Sequence, residues 1–143
     1  MNVVQKKTKR SGSGIFGLFG KSSTERDCID KLESKLDAIG KSMAVIEFEL
    51  DGTIITANDN FLNALGYRLE EVQGQHHRIF CESSYTNSQE YRNFWDKLRR
   101  DNFDANEYKR IKKDGSEIWI QANYNPICDS EGKPYIVVKF ATE

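Results

Sequence analysis

The sequence has 143 residues, of which 38% are hydrophobic and 30% are charged, and its formal net charge is −1. A chain of this length corresponds to one domain, which can bury a core without disulfides or metals. The near-zero net charge argues against a nucleic-acid-binding protein, and no apolar run reaches the roughly 18 residues of a membrane-spanning helix. Because the N-terminus also lacks the pattern of a secretory signal, we expect a cytoplasmic protein.

Residues that could carry chemistry are sparse. The three cysteines, Cys28, Cys81 and Cys128, are odd in number and form no Cys-x-x-Cys pair, so we expect free thiols and no zinc site. No nucleophile, phosphate-loop or metalloprotease motif occurs, and we therefore expect no enzyme.

Residues 1–22 begin the chain with a strongly basic segment. Five basic residues and no acidic residue fall within positions 1–21, and glycine occupies four of the ten positions from 11 to 20. So much glycine disfavours a helix. We predict a disordered basic tail that acts as a flexible leader, and we do not expect it to hold the chain on a membrane.

Residues 23–40 are predicted to form an amphipathic helix. Thr24, with Asp27 three residues later, can cap its start, and Gly40 can end it. The apolar residues between them recur at helical spacing, and they are Ile29, Leu32, Leu36 and Ile39. Because the rest of the helix is charged, this stripe must be covered either by the chain's own domain or by a second copy.

Residues 41–143 carry alternating strand and helix signals. Asp51-Gly52 predicts a tight turn in a hairpin, and Asn87 with Glu90 predicts the capped start of a longer helix. Short helices are predicted at 61–65 and 69–72. Strands are predicted at 43–49, 53–56, 108–112, 117–125 and 135–140.

This order of elements favours an α+β fold. Strands at both ends and helices between them predict one five-stranded antiparallel sheet that carries short helices on one face. Residues 23–40 would add an N-terminal flanking helix. A central pocket follows if the short helices stand away from the sheet.

Several short motifs in this region resemble those of PAS domains. In chain order they are Asp51-Gly52-Thr53-Ile54, Asn58-Asp59-Asn60-Phe61, Leu65-Gly66-Tyr67, Glu70-Glu71-Val72-Gln73-Gly74, and Lys113-Asp114-Gly115-Ser116 with Trp119. The segments 74–81, 90–95 and 118–127 resemble a narrower group, the PAS domains of bacterial methyl-accepting chemotaxis proteins of the aerotaxis and biofilm-dispersion receptor type.

The resemblance implies a sensory input module. Such a module senses redox state, oxygen or a small ligand in a central pocket and passes the signal to a downstream methyl-accepting signalling domain. The alternative is a cofactor-free PAS module for dimerisation or protein interaction. The family usually continues with Asp-x-Thr, and Glu143 stands about where that aspartate is expected, so the chain is either a fragment or a module with an unusual exit.

The resemblance also implies where a cofactor would bind. FAD is the cofactor of the aerotaxis type, and haem or no cofactor are the alternatives. The candidate pocket residues are Trp95, His77, Arg110, Asn60, Tyr91 and Ile120. Arg110 and Ile120 depart from flavin-binding relatives, which tend to place an asparagine at the first position and, in the light-sensing branch, at the second. Lys139 also departs from that branch, which has glutamine there.

Three of these residues leave alternatives open. His77 orders its loop through a carbonyl, lines a flavin pocket, or binds haem iron as a neutral imidazole. Its neighbour His76 cannot point into the same pocket. Trp95 lies beside a cofactor or simply in the core. For Arg110 a solvated strand position is favoured, and pairing with a phosphate or carboxylate is the alternative.

Trp119 alternates with Ile118 and Ile120, which places it on the outer face of its strand. Because an exposed tryptophan on a sheet is unusual unless covered, we predict that it forms a contact together with the helical stripe. The predicted interface residues are Ile29, Leu32, Leu36 and Trp119. A homodimer is the expected assembly.

Overall fold

The computed structural model describes residues 22–143, so the predicted basic tail lies outside the described residues except for Ser22. The chain divides into a unit that ends at Ile39 and a second unit, Gly40–Glu143. The helices are α1 (Ser23–Ser42), α2 (Asp59–Leu65), α3 (Leu69–Val72), α4 (Ser83–Thr86) and α5 (Gln89–Arg99), with a 3-10 helix at His77–Phe80. The strands are β1 (Ala44–Glu49), β2 (Ile54–Ala57), β3 (Asp104–Ile111), β4 (Glu117–Cys128) and β5 (Pro134–Thr142).

Helix α1 confirms the predicted amphipathic helix but differs at both ends. The amide of Glu25 donates to Ser22 Oγ at 3.1 Å, and the amide of Ser22 donates to the Glu25 carboxylate at 3.2 Å. This capping box lies ahead of the predicted cap at Thr24. Gly40 does not end the helix, which continues to Ser42 because a single glycine inside a helix costs only about 1 kcal/mol.

The five strands form one antiparallel sheet in the order β2-β1-β5-β4-β3. The predicted α+β class and five-stranded sheet are therefore confirmed. The strands of the second half extend beyond their predicted bounds, since β3 already begins at Asp104 and β4 continues to Cys128. Strand pairing continues there through residues whose side chains alone gave no clear alternation.

Side chains with local roles set the ends of the helices in the second unit. Asn58 Oδ1 accepts from the amide of Phe61 at 3.0 Å and so caps α2, and Gly66 ends α2 in the left-handed conformation with φ 83°. Ser88 caps α5 by accepting from the amide of Tyr91 at 3.2 Å. The predicted cap of that helix, Asn87, lies one residue too early.

The core lies between one face of the sheet and the short helices. Its buried members on the sheet include Ile46, Phe48, Ile118, Ile120, Tyr124 and Val137, and its members on the helices include Phe61, Leu65, Phe80, Phe94, Trp95 and Leu98. These residues alternate along the strands and recur at helical spacing on α2 and α5, which is the pattern of a one-sided sheet. The inner face is therefore where a central ligand would bind.

Candidate ligand-binding interior

The hairpin turn between β1 and β2 fixes the position of His77. The amide of His77 donates to the carbonyl of Gly52 at 2.9 Å, and the amide of Ile54 donates to the carbonyl of Gln75 at 2.7 Å. Gly52 has φ +94°, a conformation that favours glycine. The Asp51-Gly52 turn thus holds the 3-10 helix so that His77 enters the core, where it is fully buried.

Two phenols hold the imidazole of His77. Its Nδ1 lies 2.7 Å from Tyr91 Oη, and its Nε2 lies 2.9 Å from Tyr124 Oη. Arg110 Nη2 donates to Tyr124 Oη at 3.0 Å. In one consistent arrangement of these hydrogen bonds, Arg110 donates to Tyr124, Tyr124 donates to His77 Nε2, and His77 Nδ1 donates to Tyr91. A neutral imidazole then has a hydrogen-bond partner at each ring nitrogen. We call these four residues the His77 cluster.

Burial keeps the groups of the His77 cluster other than Arg110 uncharged. It lowers the pKa of His77 well below its ordinary value, and the positive charges of Arg110 and Lys139 act in the same direction. Burial raises the pKa of Tyr124 to about 12. Burial also raises the pKa of the Cys81 thiol, whose sulfur lies 3.7 Å from His77 Nδ1.

His76 and His77 point apart, as their adjacency predicts. His76 Nε2 donates to the carbonyl of Asp51 at 2.7 Å, and its Nδ1 accepts from the amide of Arg78 at 3.1 Å. The role of ordering the loop through a carbonyl therefore falls to His76. His77 instead bonds two side chains.

Aromatic rings surround His77. Trp95, Tyr91 and Phe94 on α5 place their ring centroids 5.4, 5.7 and 6.0 Å from the imidazole. Phe48 on β1 lies 5.3 Å away. Trp95 is buried and faces the sheet, as its helical position predicts. The structure thus brings the predicted residues His77, Trp95 and Tyr91 together.

Arg110 is buried, with only 3% of its surface exposed, so the favoured prediction of a solvated strand position is wrong. Its guanidinium lies 4.6 Å from the Tyr108 ring centroid, and Nη1 donates to the carbonyl of Lys109 at 2.9 Å. Register explains the burial, because Arg110 pairs with the inward-facing Ile118 of β4. Side-chain length allows a cation on an inner position to reach hydrogen-bond acceptors.

Lys139 is the functional candidate that the sequence analysis left out of the pocket. It is 1% exposed, and its Nζ lies 4.9 Å from the Tyr124 ring centroid and 5.5 Å from that of Phe61. Burial lowers its pKa well below the ordinary value, and the charge of Arg110 adds to this. A sequence signal existed, because Lys139 alternates in step with the inward-facing Val137 and Ala141.

A pocket of about 180 Å³ lies between the sheet and α2. Residues that line it include Ser42, Asn60, Phe61, Ala64, Ile120, Ala141, Thr142 and Glu143. We call it the α2 pocket. The predicted residues Asn60 and Ile120 therefore lie here and not around His77. Asn60 is exposed, and its amide donates to the carbonyl of Gly40 at 2.8 Å.

The polar groups of the interior suit a ligand that accepts hydrogen bonds, but space is limited. Buried donor atoms that find no partner among the residues that the structure describes include Lys139 Nζ, Arg110 Nε and Tyr108 Oη. The carbonyl edge of a flavin offers acceptors of the right kind. The α2 pocket is smaller than the roughly 300–1,000 Å³ typical of cofactor and drug sites, so a flavin or haem requires the rings around His77 to move apart.

His77 could serve as a haem ligand only after one of its two phenol hydrogen bonds is broken, since iron takes a free ring nitrogen. Within residues 22–143, no group of three or more histidine, cysteine, aspartate or glutamate side chains is arranged to hold a metal ion. The three cysteines of the described chain are free thiols.

The outer face of the sheet and one side of α1 expose large apolar side chains. Trp119 is 57% exposed, and Leu32 and Leu36 are each 60% exposed. Trp119 therefore points outward, as its alternation predicts. No helix in the part of the chain that the structure describes is long and apolar enough to cross a membrane.

Two curated relatives are similar to this chain. The "Biofilm dispersion protein BdlA" of Pseudomonas aeruginosa is 40% identical over 138 residues, which cover 94% of this chain and 33% of the relative. The "Aerotaxis receptor" of Escherichia coli is 31% identical over 85 residues, which cover 59% of this chain and 16% of the relative. The chain thus spans about a third or less of the length of these receptors.

Solved structures share the fold. A PAS domain from Colwellia psychrerythraea matches with a TM-score of 0.69 and 19% identity, covering 80% of this chain and 97% of that one. A light-oxygen-voltage domain, whose structure concerns a flavin analogue, matches with a TM-score of 0.62 and 20% identity, covering 85% and 87%. The family model of the PAS fold matches residues 54–141. The chain therefore belongs to the PAS family.

Proposed function

We propose that the chain is a cytoplasmic sensory input module of a chemoreceptor. It senses redox state, oxygen or a small ligand in its interior and passes the change to a methyl-accepting signalling domain. The similarity to a biofilm dispersion protein and to an aerotaxis receptor supports this proposal. The observation that carries it is the position of the α2 pocket, which contacts both the segment that enters the second unit and the segment that leaves it. We call these two segments the exits.

The α2 pocket is lined by Ser42, the last residue of α1, and by Thr142 and Glu143 at the end of β5. An occupant of this pocket contacts the segments that enter and leave the PAS fold. A ligand that binds one arrangement of these segments more tightly shifts the population toward it. The conformational change does not have to be transmitted over a distance, because residues of both exits line the α2 pocket itself.

Asn58 and Asn60 connect α2 to the entry segment. Asn58 Nδ2 donates to the carbonyls of Gly40 and Met43 at 3.1 and 3.0 Å, and Asn58 Oδ1 accepts from the amide of Val45 at 2.9 Å. Asn60 Nδ2 also donates to the carbonyl of Gly40. A shift of α2 therefore pulls on the segment between α1 and β1. This is a physical path from the pocket wall to the entry.

Flavin is one candidate for the sensed group. Trp95, His77 and Tyr91 would pack beside the ring after the repacking described above, and Arg110 would face its acceptor edge. The light-oxygen-voltage neighbour and the aerotaxis relative support this choice. A bound flavin supplies reversible electron uptake. Haem with His77 is the alternative that the same interior offers.

We further propose that the module works as a homodimer. The exposed stripe of α1, with Leu32 and Leu36, and the exposed Trp119 are the surfaces that a second copy covers. Ile29, which is half-buried, belongs to the same stripe. Apolar side chains at this spacing form a seam when two helices pack together.

A chimeric receptor tests the function. The matching N-terminal part of the Pseudomonas aeruginosa dispersion protein is replaced by this chain in a strain that lacks the natural protein. We expect biofilm dispersion to return. A chimera that is present at the natural level and folded, yet supports no dispersion, contradicts the proposal.

A cofactor-free dimerisation module is the second candidate function. It is favoured by the filled interior, in which protein groups satisfy both nitrogens of His77. If the chain is only a dimerisation module, the chimera should lose its dispersion response when Leu36→Glu disrupts the dimer. It keeps the response on Ala64→Leu, which fills the α2 pocket. A sensory module loses the response with either substitution.

A further inference from the structure

Two basic side chains are buried in the interior, and no acidic residue among residues 22–143 is buried with them. Arg110 and Lys139 are 3% and 1% exposed, and the only other buried charged or polar residue within 22–143 is His77. The ion pairs between described residues involve other lysines and arginines, such as Lys97 with Asp104 and Lys113 with Glu71. A guanidinium cannot lose its proton in a protein, so the interior keeps an uncompensated positive charge.

Both basic side chains contact Tyr124. Arg110 Nη2 bonds the phenol oxygen at 3.0 Å, and Lys139 Nζ lies 4.9 Å from the centre of the same ring. Arg110 Nε and Lys139 Nζ have no hydrogen-bond partner in the described part of the chain. Unused buried donors are costly, and donors on cations are the most costly. A ligand that supplies the acceptor would account for both donors.

Charge decides the class of that ligand. The titratable groups around Lys139 are Arg110 on β3, Tyr124 on β4, His77 on the 3-10 helix and Cys81 after it, and none is a carboxylate. Burial, and to a smaller extent the charge of Arg110, lowers the pKa of Lys139, which favours the neutral amine when no anion is present. An anion beside it reverses this balance by favouring the ammonium.

We propose that Arg110 and Lys139 recognise one small anionic group, a carboxylate or a phosphate, which reaches them from the α2 pocket and binds as Lys139 takes up a proton. The step is R–NH2 + H⁺ → R–NH3⁺, with the proton drawn from solvent and the ammonium paired to the bound anion. This inference rests on the proposed sensory function and names the ligand class of its interior.

The pocket and the cations are neighbours in the fold. Phe61 lines the α2 pocket, and its ring lies 5.5 Å from Lys139 Nζ. Ala141, another lining residue, follows Lys139 by two positions on the same face of β5. The proposal therefore requires Phe61 to rotate so that a ligand in the α2 pocket can reach Lys139. Because β5 carries both Lys139 and the exit at Thr142, charging Lys139 acts directly on the exit strand.

Titration calorimetry of the full chain tests the proposal. Acetate, succinate and inorganic phosphate are each titrated at neutral pH and constant ionic strength, in two buffers that differ in ionisation enthalpy. We expect at least one of these anions to bind, with uptake of about one proton. Binding by acetate or succinate would identify a carboxylate ligand, and binding by inorganic phosphate would identify a phosphate ligand. Lys139→Met should weaken binding by about tenfold or more, as loss of one charge-assisted contact predicts.

Lys109→Met is the matched control, because Lys109 is the neighbour of Arg110 but pairs with Glu82 and Glu117 on the surface. It should bind the anion like the unaltered chain. The absence of binding by all three anions to the folded chain overturns the proposal. Equal binding by Lys139→Met also overturns it.

Lysine-selective nuclear magnetic resonance keeps the test valid if Lys139→Met fails to fold. In the unaltered chain, the Lys139 side chain should change from the neutral to the charged signal when the anion is added. An unchanged signal at saturation contradicts the inference. The chimera distinguishes failure of the anion proposal from failure of the proposed function. If dispersion survives Lys139→Met, the sensory function stands without the anion site. If the unaltered chimera supports no dispersion, the sensory function itself is contradicted.

Discussion

His77 organises the interior at the scale of single residues, because among residues 22–143 it is the one side chain that bonds both Tyr91 and Tyr124. His77→Phe keeps a ring of similar size but leaves two buried phenols without their partner. We expect the free energy of unfolding to fall by about 2–4 kcal/mol, since each unsatisfied buried hydroxyl costs about 1–3 kcal/mol. Urea denaturation measures the change.

Arg78→Ala is the control for this substitution, because Arg78 is exposed on the same 3-10 helix. It should change stability by less than about 0.5 kcal/mol. If His77→Phe is as mild as the control, the hydrogen bonds of His77 do not hold the interior together.

Lys139 makes stability depend on pH. In the unfolded chain a lysine holds its proton up to about its ordinary pKa of 10.5, whereas burial makes folded Lys139 release it at lower pH. The unfolded state therefore binds more protons, and the free energy of unfolding rises with pH by up to about 1.4 kcal/mol per unit. Lys139→Met should flatten this slope.

The contribution of Lys139 to this slope is best measured in the window between about pH 7 and 8.5. Below it, the lowered pKa of His77 makes the folded state lose stability as the unfolded histidine takes up a proton. Above it, the raised pKa of Cys81 acts in the opposite direction to Lys139. Denaturation curves across the window that show equal slopes for both proteins would contradict a neutral Lys139.

The buried cations show where residue-level prediction fails. Lys139 alternates in step with the buried Val137 and Ala141, but a charge at such a position is usually taken as a sign of the outer face. The partners that make burial tolerable, such as the Tyr108 ring under Arg110, come from register between strands. Register depends on how two strands pair, so it cannot be predicted from the sequence of one strand alone.

At the scale of elements, the β1–β2 turn depends on Gly52. Its φ is +94°, and a Cβ there would lie 2.5 Å from His76 Nε2. Gly115 has a similar φ of +89° but nothing within 4 Å of its Cβ position. Gly52→Ala should therefore cost at least about 1 kcal/mol more than Gly115→Ala, because only the first adds a clash to the shared backbone strain.

Thermal or urea unfolding of the two glycine variants measures this difference. Equal costs would mean that the hairpin turn does not hold the His76–His77 segment in place. The comparison needs no ligand, so it tests the support of the site separately from its function.

Elements with strong local signals were predictable, and those defined by tertiary contacts were not. Asp51-Gly52 and the long helix α5 carry turn and capping chemistry in their own residues. The 3-10 helix at His77–Phe80 has only four residues and is held by hydrogen bonds to Gly52. Its place, and hence the position of His77, follows from the hairpin against which it lies.

At the scale of the whole molecule, the exposed stripe of α1 predicts self-association. Leu36→Glu puts a charge into the proposed seam and should shift the chain from dimer to monomer in light scattering or sedimentation. Ser34→Glu adds the same charge on the opposite side of the helix and should leave the dimer intact. Dimers that persist with Leu36→Glu, or monomers in the unaltered chain, contradict this interface.

If the module is a sensor, filling the α2 pocket must alter both the segment that enters the PAS fold and the segment that leaves it. Ala64→Leu fills the pocket from α2 without any ligand, and Asn63→Leu adds the same side chain at the exposed neighbouring position. The decisive measurement is backbone hydrogen exchange of the full chain with each substitution.

We expect Ala64→Leu to change hydrogen exchange both at residues 40–43 and at residues 141–143, and Asn63→Leu to change it at neither. A change confined to α2 would contradict the sensory function, because the pocket would then fill without moving the segments through which a sensor must signal.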